Sequence, residues 1–348
     1  MTDGSEDIRA LRWAPGCLHV LDQRELPVRE TWLQLGSAEA VAAAIRDMAV
    51  RGAPAIGIAA AYGVVLSALR HARLPDSGRI EAIDADIEIL AKSRPTAVNL
   101  FWALRRMHDC AHRTAGDPAA LLAEAEAILT EDLNQNRRMA EQGAALIEPG
   151  STVLTHCNTG SLATGGHGTA LGVIRSAWHA QRLKRIFATE TRPWLQGARL
   201  TVWELARDSI PVTLITDSAA ATTLRDESIR WVIVGADRIA ANGDVTNKVG
   251  TYSLAVLARQ HGARLMVVAP SGTVDLSLVR GADVPIEYRE PGEIWRTASS
   301  LPPPAGVTVR NPAFDVTPAT LVDVLVTERG IIEKPDADSM AKAFASRR

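Results

Sequence analysis

From Ser151 onward the sequence alternates between short aliphatic runs and longer helix-periodic stretches, and this alternation restricts the fold more than any other feature of the chain. Strands are expected at Thr152–Thr155, Arg185–Ala188, Val212–Ile215, Trp231–Val234 and Leu265–Ala269. Helices are expected at Thr169–Gln181, Ala198–Asp208, Ala219–Thr223, Ser253–His261 and Thr320–Thr327. Alternation of this kind calls for a parallel sheet with helices on both faces. The fold class is therefore α/β, with a Rossmann-like sheet domain in the C-terminal half.

The first third reads differently. Ala-rich helical patterns run over Ala38–Val50, Pro54–His71, Ile80–Lys92 and Asn99–His112, after a small strand pair expected at Trp13–Val20 and Glu30–Leu35. Asp117-Pro118 reads as an N-cap with proline at the first helical position. The 3.6-residue pattern that follows holds to Ile147 and stops at Glu148-Pro149-Gly150. About thirty helical residues span roughly 45 Å, long enough to bridge two domains. The expected organisation is a smaller, mainly helical domain at 1–116, a connecting helix at 117–149 and the sheet domain at 150–348.

Composition narrows the function classes. At 348 residues the chain exceeds one ordinary core, so two domains are expected. A net charge of −2 offers no basic surface, which argues against nucleic acid as a partner. Three cysteines (Cys17, Cys110 and Cys157) lack paired spacing, so neither a disulfide framework nor a cysteine zinc site is expected, and a cytoplasmic location follows. The polar, acidic N-terminus lacks the pattern of a signal peptide. Gly52 to Leu69 is uncharged over eighteen residues, near the lower limit for a membrane span. Its Ala and Gly content carries little transfer energy, so a buried helix is expected and no membrane partner.

In open α/β sheets ligands bind beyond the carboxyl ends of the strands. Here those ends carry Cys157, Thr189-Glu190, Thr216-Asp217, Asp237 and Pro270-Ser271. Any single Asp there can simply cap a helix or shape a turn. Cys157 opens the glycine-rich stretch Cys157-Asn-Thr-Gly-Ser-Leu-Ala-Thr-Gly-Gly-His-Gly168, where helix-start N–H groups could face an anion or lower a thiol pKa. That stretch fits neither the dinucleotide nor the P-loop fingerprint. His156, one residue earlier in a strand, points to the opposite face and reads as a core histidine rather than the base of the thiol. Cys17 and Cys110 read as small buried hydrophobes. Asn242-Gly243 signals a tight hairpin that returns Asn247-Lys248 to a helix start, where a lysine opposes the helix dipole and points to a nearby anion or to solvent. Arg51 and Arg94 sit in breaks between helices, as surface arginines or as phosphate ligands.

Six segments carry a family resemblance: Arg51-Gly-Ala-Pro-Ala-Ile-Gly57, Arg94-Pro-Thr-Ala-Val-Asn-Leu100, Thr155-His-Cys-Asn-Thr-Gly160, Thr191–Leu200, Gly235–Asp244 and Asn311–Thr317. In this order, over nearly the whole chain, they resemble the 5-methylthioribose-1-phosphate isomerases of methionine salvage. Those enzymes share a fold with the regulatory subunits of a translation initiation factor's exchange complex. The resemblance implies catalytic roles for Cys157 and Asp237, and substrate contacts from Arg51, Gly52, Ala53, Arg94, Gln196, Asn247 and Lys248. It also implies a sugar 1-phosphate substrate, a homodimer, and no metal or redox cofactor. Ser271-Gly-Thr273 and Gly165-Gly-His167 depart from the family pattern near the expected 5-substituent pocket. Related reactions on 5-deoxyribose 1-phosphate or ribose 1,5-bisphosphate, or a non-catalytic regulatory subunit, are the alternatives. The implied chemistry has Asp237 protonating the ring oxygen and Cys157 moving the C2 proton, with a raised Asp pKa and a lowered Cys pKa.

Overall fold

The computed structural model describes residues 8–94, 97–295 and 304–345. The acidic N-terminus and Pro95-Thr96 lie outside the described residues. The chain divides into two compact units: Met1–Arg137 with Gly160–Gly168, and Arg138–Thr159 with Thr169–Arg348.

In the first unit, β1 (Leu11–Ala14), β2 (Cys17–Leu21) and β3 (Trp32–Leu35) form an antiparallel sheet in that order. Pro15-Gly16 splits the run expected as one strand into β1 and β2, so the expected pair is a three-stranded sheet. Cys17 is partly exposed there, not buried as expected, while Cys110 is buried. Helices α1 (Ala38–Arg46), α2 (Ala53–Arg70), α3 (Asp76–Lys92) and α4 (Val98–Arg113) follow. Ser37 caps α1 by accepting the Ala40 N–H at 3.2 Å. Helix α2 is apolar on nearly every face and buried from Ala55 to Ala68, as a helix in the middle of a core must be. Among the described residues it is long and apolar enough to cross a membrane, yet 78% of the stretch is buried inside the protein. Helix α5 (Pro118–Ala145) carries the chain from the first unit into the second.

The second unit is built on β4 (Ser151–Thr155), α6 (Ala170–His179), β5 (Leu183–Thr189), α7 (Val202–Arg207), β6 (Thr213–Ile215), α8 (Ala220–Asp226) and β7 (Ile229–Val234). A hairpin of β8 (Arg238–Ala240) and β9 (Val245–Lys248) follows, then α9 (Thr251–Gln260), β10 (Arg264–Val268) and β11 (Val274–Asp275). The chain closes with α10 (Gly292–Trp295), β12 (Phe314–Thr317), β13 (Val324–Thr327), β14 (Gly330–Glu333) and α11 (Ala337–Phe344). Among the described residues, seven strands form the main sheet in the order β14-β13-β10-β7-β4-β5-β6, parallel except for β14. Alternate residues feed two cores. Leu154, Val232, Val234, Leu265 and Val267 pack with α8, α9 and α11 on one face. Val153, Ile186, Trp231, Ile233, Met266 and Val268 pack with α6, α7 and the end of α5 on the other. This period-2 division between two buried faces is why the strands read as continuous apolar runs.

One expected helix is a strand. The pattern over Thr320–Thr327 reads as helical, but Val324–Thr327 is β13, paired to β10 and β14, preceded by a single 3-10 turn at Ala319–Leu321. Short apolar runs buried on both faces have no periodicity that separates helix from strand.

Candidate active site

The strand order places a topological switch at β4. From β4 the chain adds β5 and β6 on one side, and β7, β10 and β13 on the other. A crevice opens where neighbouring connections leave in opposite directions, beyond the carboxyl ends. Cys157 follows β4 and Asp237 follows β7, and these strands are hydrogen-bonded neighbours with Thr155 opposite Ile233.

Cys157 is buried and holds a left-handed backbone, φ 66°. A non-glycine residue in that region costs about 1–3 kcal/mol, so the surroundings must impose it. Its N–H donates to Thr191 Oγ1 at 2.9 Å, and its carbonyl accepts from the Thr201 hydroxyl at 2.6 Å. Its Sγ accepts from the Gln196 amide, Nε2, at 3.3 Å. Thr191 is itself left-handed at φ 61°, unusual for a β-branched side chain. Asp217 holds it there by accepting the N–H groups of Thr191 at 2.8 Å and Arg192 at 2.7 Å. Asp217 is therefore a turn-shaping strand-end aspartate. Ser271 is also engaged structurally, with its N–H and hydroxyl both donating to Glu328.

Donor logic orders the rest of this network. His156 Nε2 lies 2.9 Å from the Val249 carbonyl, which can only accept, so Nε2 carries the proton. Nδ1 then accepts from the Thr189 hydroxyl at 2.6 Å, and Thr189 Oγ1 stands 3.0 Å from Thr191 Oγ1. Burial pushes the His156 pKa down, keeping the ring neutral. The histidine is the satisfied core residue expected of it, tied to the backbone of Cys157 through two threonines. Behind the cysteine, Asn158 donates to Glu204 at 2.7 Å, and Arg175 bridges Glu204 (2.9 Å) and Asp208 (2.6 Å). Glu204 and Arg175 are buried, and breaking such a buried pair by removing one partner costs about 3–5 kcal/mol.

Gln196 precedes a wide helical turn, Gly197–Thr201, that runs into α7. Gly197 lies so close to β5 that a Cβ there would stand 1.9 Å from the Thr189 carbonyl oxygen. The amide of Gln196 is buried, and its Oε1 has no hydrogen-bond partner among the described residues. An orphaned buried acceptor beside a cysteine is available to a ligand hydroxyl.

The Asn242-Gly243 turn forms the expected hairpin, with Arg238 opposite Thr246 and the Asp237 N–H donating to the Thr246 carbonyl at 2.9 Å. Asp237 is thereby brought beside Asn247-Lys248. Asn247 is buried and donates to Thr251 Oγ1 at 3.0 Å. Lys248 Nζ donates to the Ala313 carbonyl at 2.8 Å and stands 4.7 Å above the Phe314 ring. Asp315 accepts the Gly250 and Tyr252 N–H groups at the start of α9, at 2.7 and 3.1 Å, and burial lifts its pKa to about 6.

The remaining expected contacts belong to the first unit. Arg51 precedes α2, Gly52 is its N-cap at φ 96°, and Ala53 is its first residue. A Cβ on Gly52 would stand 2.5 Å from the Ala163 backbone, so only glycine fits. The Arg94 carbonyl accepts the Ala97 N–H at 3.1 Å, just before α4.

Two details differ from expectation. The donor to Cys157 Sγ is the Gln196 side chain. The glycine-rich stretch Gly160–Gly168 is part of the first unit, and its N–H groups are largely engaged. Gly165 donates to Asp132 at 2.7 Å, Gly166 to Thr164 Oγ1 at 3.1 Å and Gly168 to the Gly166 carbonyl at 2.7 Å. Thr191 and Thr201, which seat the cysteine, give no local signal because they lie 34 and 44 residues away from it.

Residues 49–334 match the Initiation factor 2 subunit family. A methylthioribose-1-phosphate isomerase of Thioalkalivibrio sulfidiphilus is 57% identical over 337 residues, covering 96% of each chain. The crystal structure of 5-methylthioribose 1-phosphate isomerase from Pyrococcus horikoshii superposes with a TM-score of 0.92 at 41% identity, covering 98% of this chain and 96% of that one. A structure described as translation initiation factor eIF-2B, subunit delta, from A. fulgidus gives 0.87, also at 41% identity, covering 97% and 99%.

Proposed function

This chain belongs to the methylthioribose-1-phosphate isomerases of the Initiation factor 2 subunit family, and from that premise we propose how its residues isomerise 5-methylthio-α-D-ribose 1-phosphate to 5-methylthio-D-ribulose 1-phosphate in methionine salvage. The anomeric phosphate locks the sugar in its ring, so a free aldehyde is not the starting point. Asp237, protonated, donates to the ring oxygen as the C1–O bond opens. Cys157, as thiolate, takes the C2 proton and leaves an enol phosphate. C1 then gains a proton from the thiol while the C2 hydroxyl returns one to the Asp237 carboxylate. Every proton is restored and the product is the 2-ketose 1-phosphate.

The observation that carries these roles is the seating of Cys157: buried, backbone-strained, hydrogen-bonded at Sγ, and next to the strand that delivers Asp237. Gln196 stabilises the thiolate through Nε2 and offers Oε1 to a sugar hydroxyl. Lys248 and Asn247, folded back beside Asp237, stabilise charge that develops during ring opening. For Arg51, Gly52, Ala53 and Arg94 as substrate contacts, the support is the resemblance and their positions at the starts of α2 and α4. The same resemblance supports a homodimer acting in the cytoplasm, which sedimentation and fractionation test.

The deciding experiment is isomerisation of methylthioribose 1-phosphate by the purified protein, compared with 5-deoxyribose 1-phosphate and ribose 1,5-bisphosphate. Preferred turnover of the methylthio sugar supports the reading. Preference for another sugar relocates the specificity to the 5-substituent pocket. Turnover of none returns the chain to the regulatory-subunit reading.

A further inference from the structure

Helices α3 and α4 hold a side-chain cluster that the isomerisation does not use. His108 and His112 are one helical turn apart on α4, so their rings leave the same face. Asp84 on α3 meets them. His112 Nε2 lies 3.1 and 3.0 Å from the two Asp84 carboxylate oxygens, and His108 Nε2 lies 3.7 Å from Oδ1. The ring centroids are 4.2 Å apart with planes tilted by 35°. One ligand atom from each residue falls within 4.8 Å of the other two. A tetrahedral ion with bonds of about 2.0–2.2 Å needs its ligand atoms roughly 3.3–3.6 Å apart. The two His Nε2 atoms stand 3.0–3.7 Å from the Asp84 carboxylate, already close to that spacing.

We propose that Asp84, His108 and His112 bind a divalent first-row transition ion of the zinc class, which staples α3 to α4. Two imidazole nitrogens and one carboxylate select such an ion over calcium or magnesium, which prefer oxygen alone. His108 also presents Nδ1 to the Asp109 carboxylate at 3.4 Å. A carboxylate on the far nitrogen is the partner that orients a ligating histidine and raises its basicity. His112 is exposed and the other two are partly so, leaving water the fourth position. The absence of paired cysteines does not bear on this site, because no thiol takes part.

The test uses the full chain, stripped with chelator and titrated with cobalt and then zinc. One equivalent of cobalt with visible ligand-field bands, no thiolate-to-cobalt charge-transfer band, and displacement by zinc supports the proposal. His108→Ala with His112→Ala should weaken binding at least about 100-fold, and Asp84→Asn at least about tenfold. Zinc should raise the melting temperature of the parent chain and not that of the double variant. All variants should keep isomerase turnover, which also shows that they fold. If the parent and the double variant titrate alike, or if millimolar cobalt produces no bands, the cluster is an ordinary surface ion pair and the proposal fails.

Discussion

The amide of Gln196 donates to the sulfur of Cys157 at 3.3 Å, across 39 residues of sequence, and its carbonyl oxygen is left buried with no partner among the described residues. One side chain thus donates to the sulfur and presents an acceptor beside it.

Replacing Gln196 by Leu should remove the hydrogen bond to the sulfur and leave it facing an apolar side chain. The value of kcat should fall at least about tenfold, because the group that moves the C2 proton loses its polar partner. A Gln196→Leu variant with parent kcat and a raised KM would leave the amide as a substrate contact only.

Cys157→Ser and Asp237→Asn should each lose about 10²–10⁴ in kcat while keeping the parent's circular dichroism and melting temperature. The serine hydroxyl is too weak an acid to sit as an anion, and asparagine has no proton to give the ring oxygen. Near-parent turnover in either variant takes that residue out of the proton path.

Gly197→Ala should destabilise the protein by about 3 kcal/mol or more and abolish turnover. The added methyl would stand 1.9 Å from the Thr189 carbonyl oxygen and 2.8 Å from Thr191 Oγ1, so the turn that positions Gln196 must leave β5. Denaturant unfolding measures the first effect, and parent-like stability would contradict it.

Asp132 gives a pH prediction. Burial lifts its carboxyl from 3.8 to about 6, against the Gly165 N–H and the Asn136 amide, which pull it down. Between those pH values the folded chain keeps a proton that the unfolded chain has released, so stability falls as pH rises through the window. Above pH 6 the full cost is present, about 3 kcal/mol. An asparagine at this position cannot titrate. The stability of the parent relative to Asp132→Asn should therefore drop by about that amount between roughly pH 3.5 and pH 7. A difference that does not vary with pH would show that Asp132 titrates normally.

Local chemistry was legible in the residues. The apolar runs from β4 to β10, the Asn242-Gly243 hairpin that returns Lys248 to Asp237, and the core role of His156 all follow from patterns within a few positions of one another. Asp237 and Cys157 could be named as strand-end groups for the same reason. The resemblance then supplied roles that spacing could not.

Sequence by itself determined which segments are apolar on which faces, and hence a parallel sheet with helices around it and polar groups at its carboxyl edge. Only the tertiary structure decided the strand order that makes β4 the switch point, the strand identity of Val324–Thr327, and the threonine and glutamine contacts that seat Cys157. The physical reason is range. Side-chain period is a property of neighbouring residues, whereas strand order and the partners of a strained residue depend on packing between segments tens of residues apart.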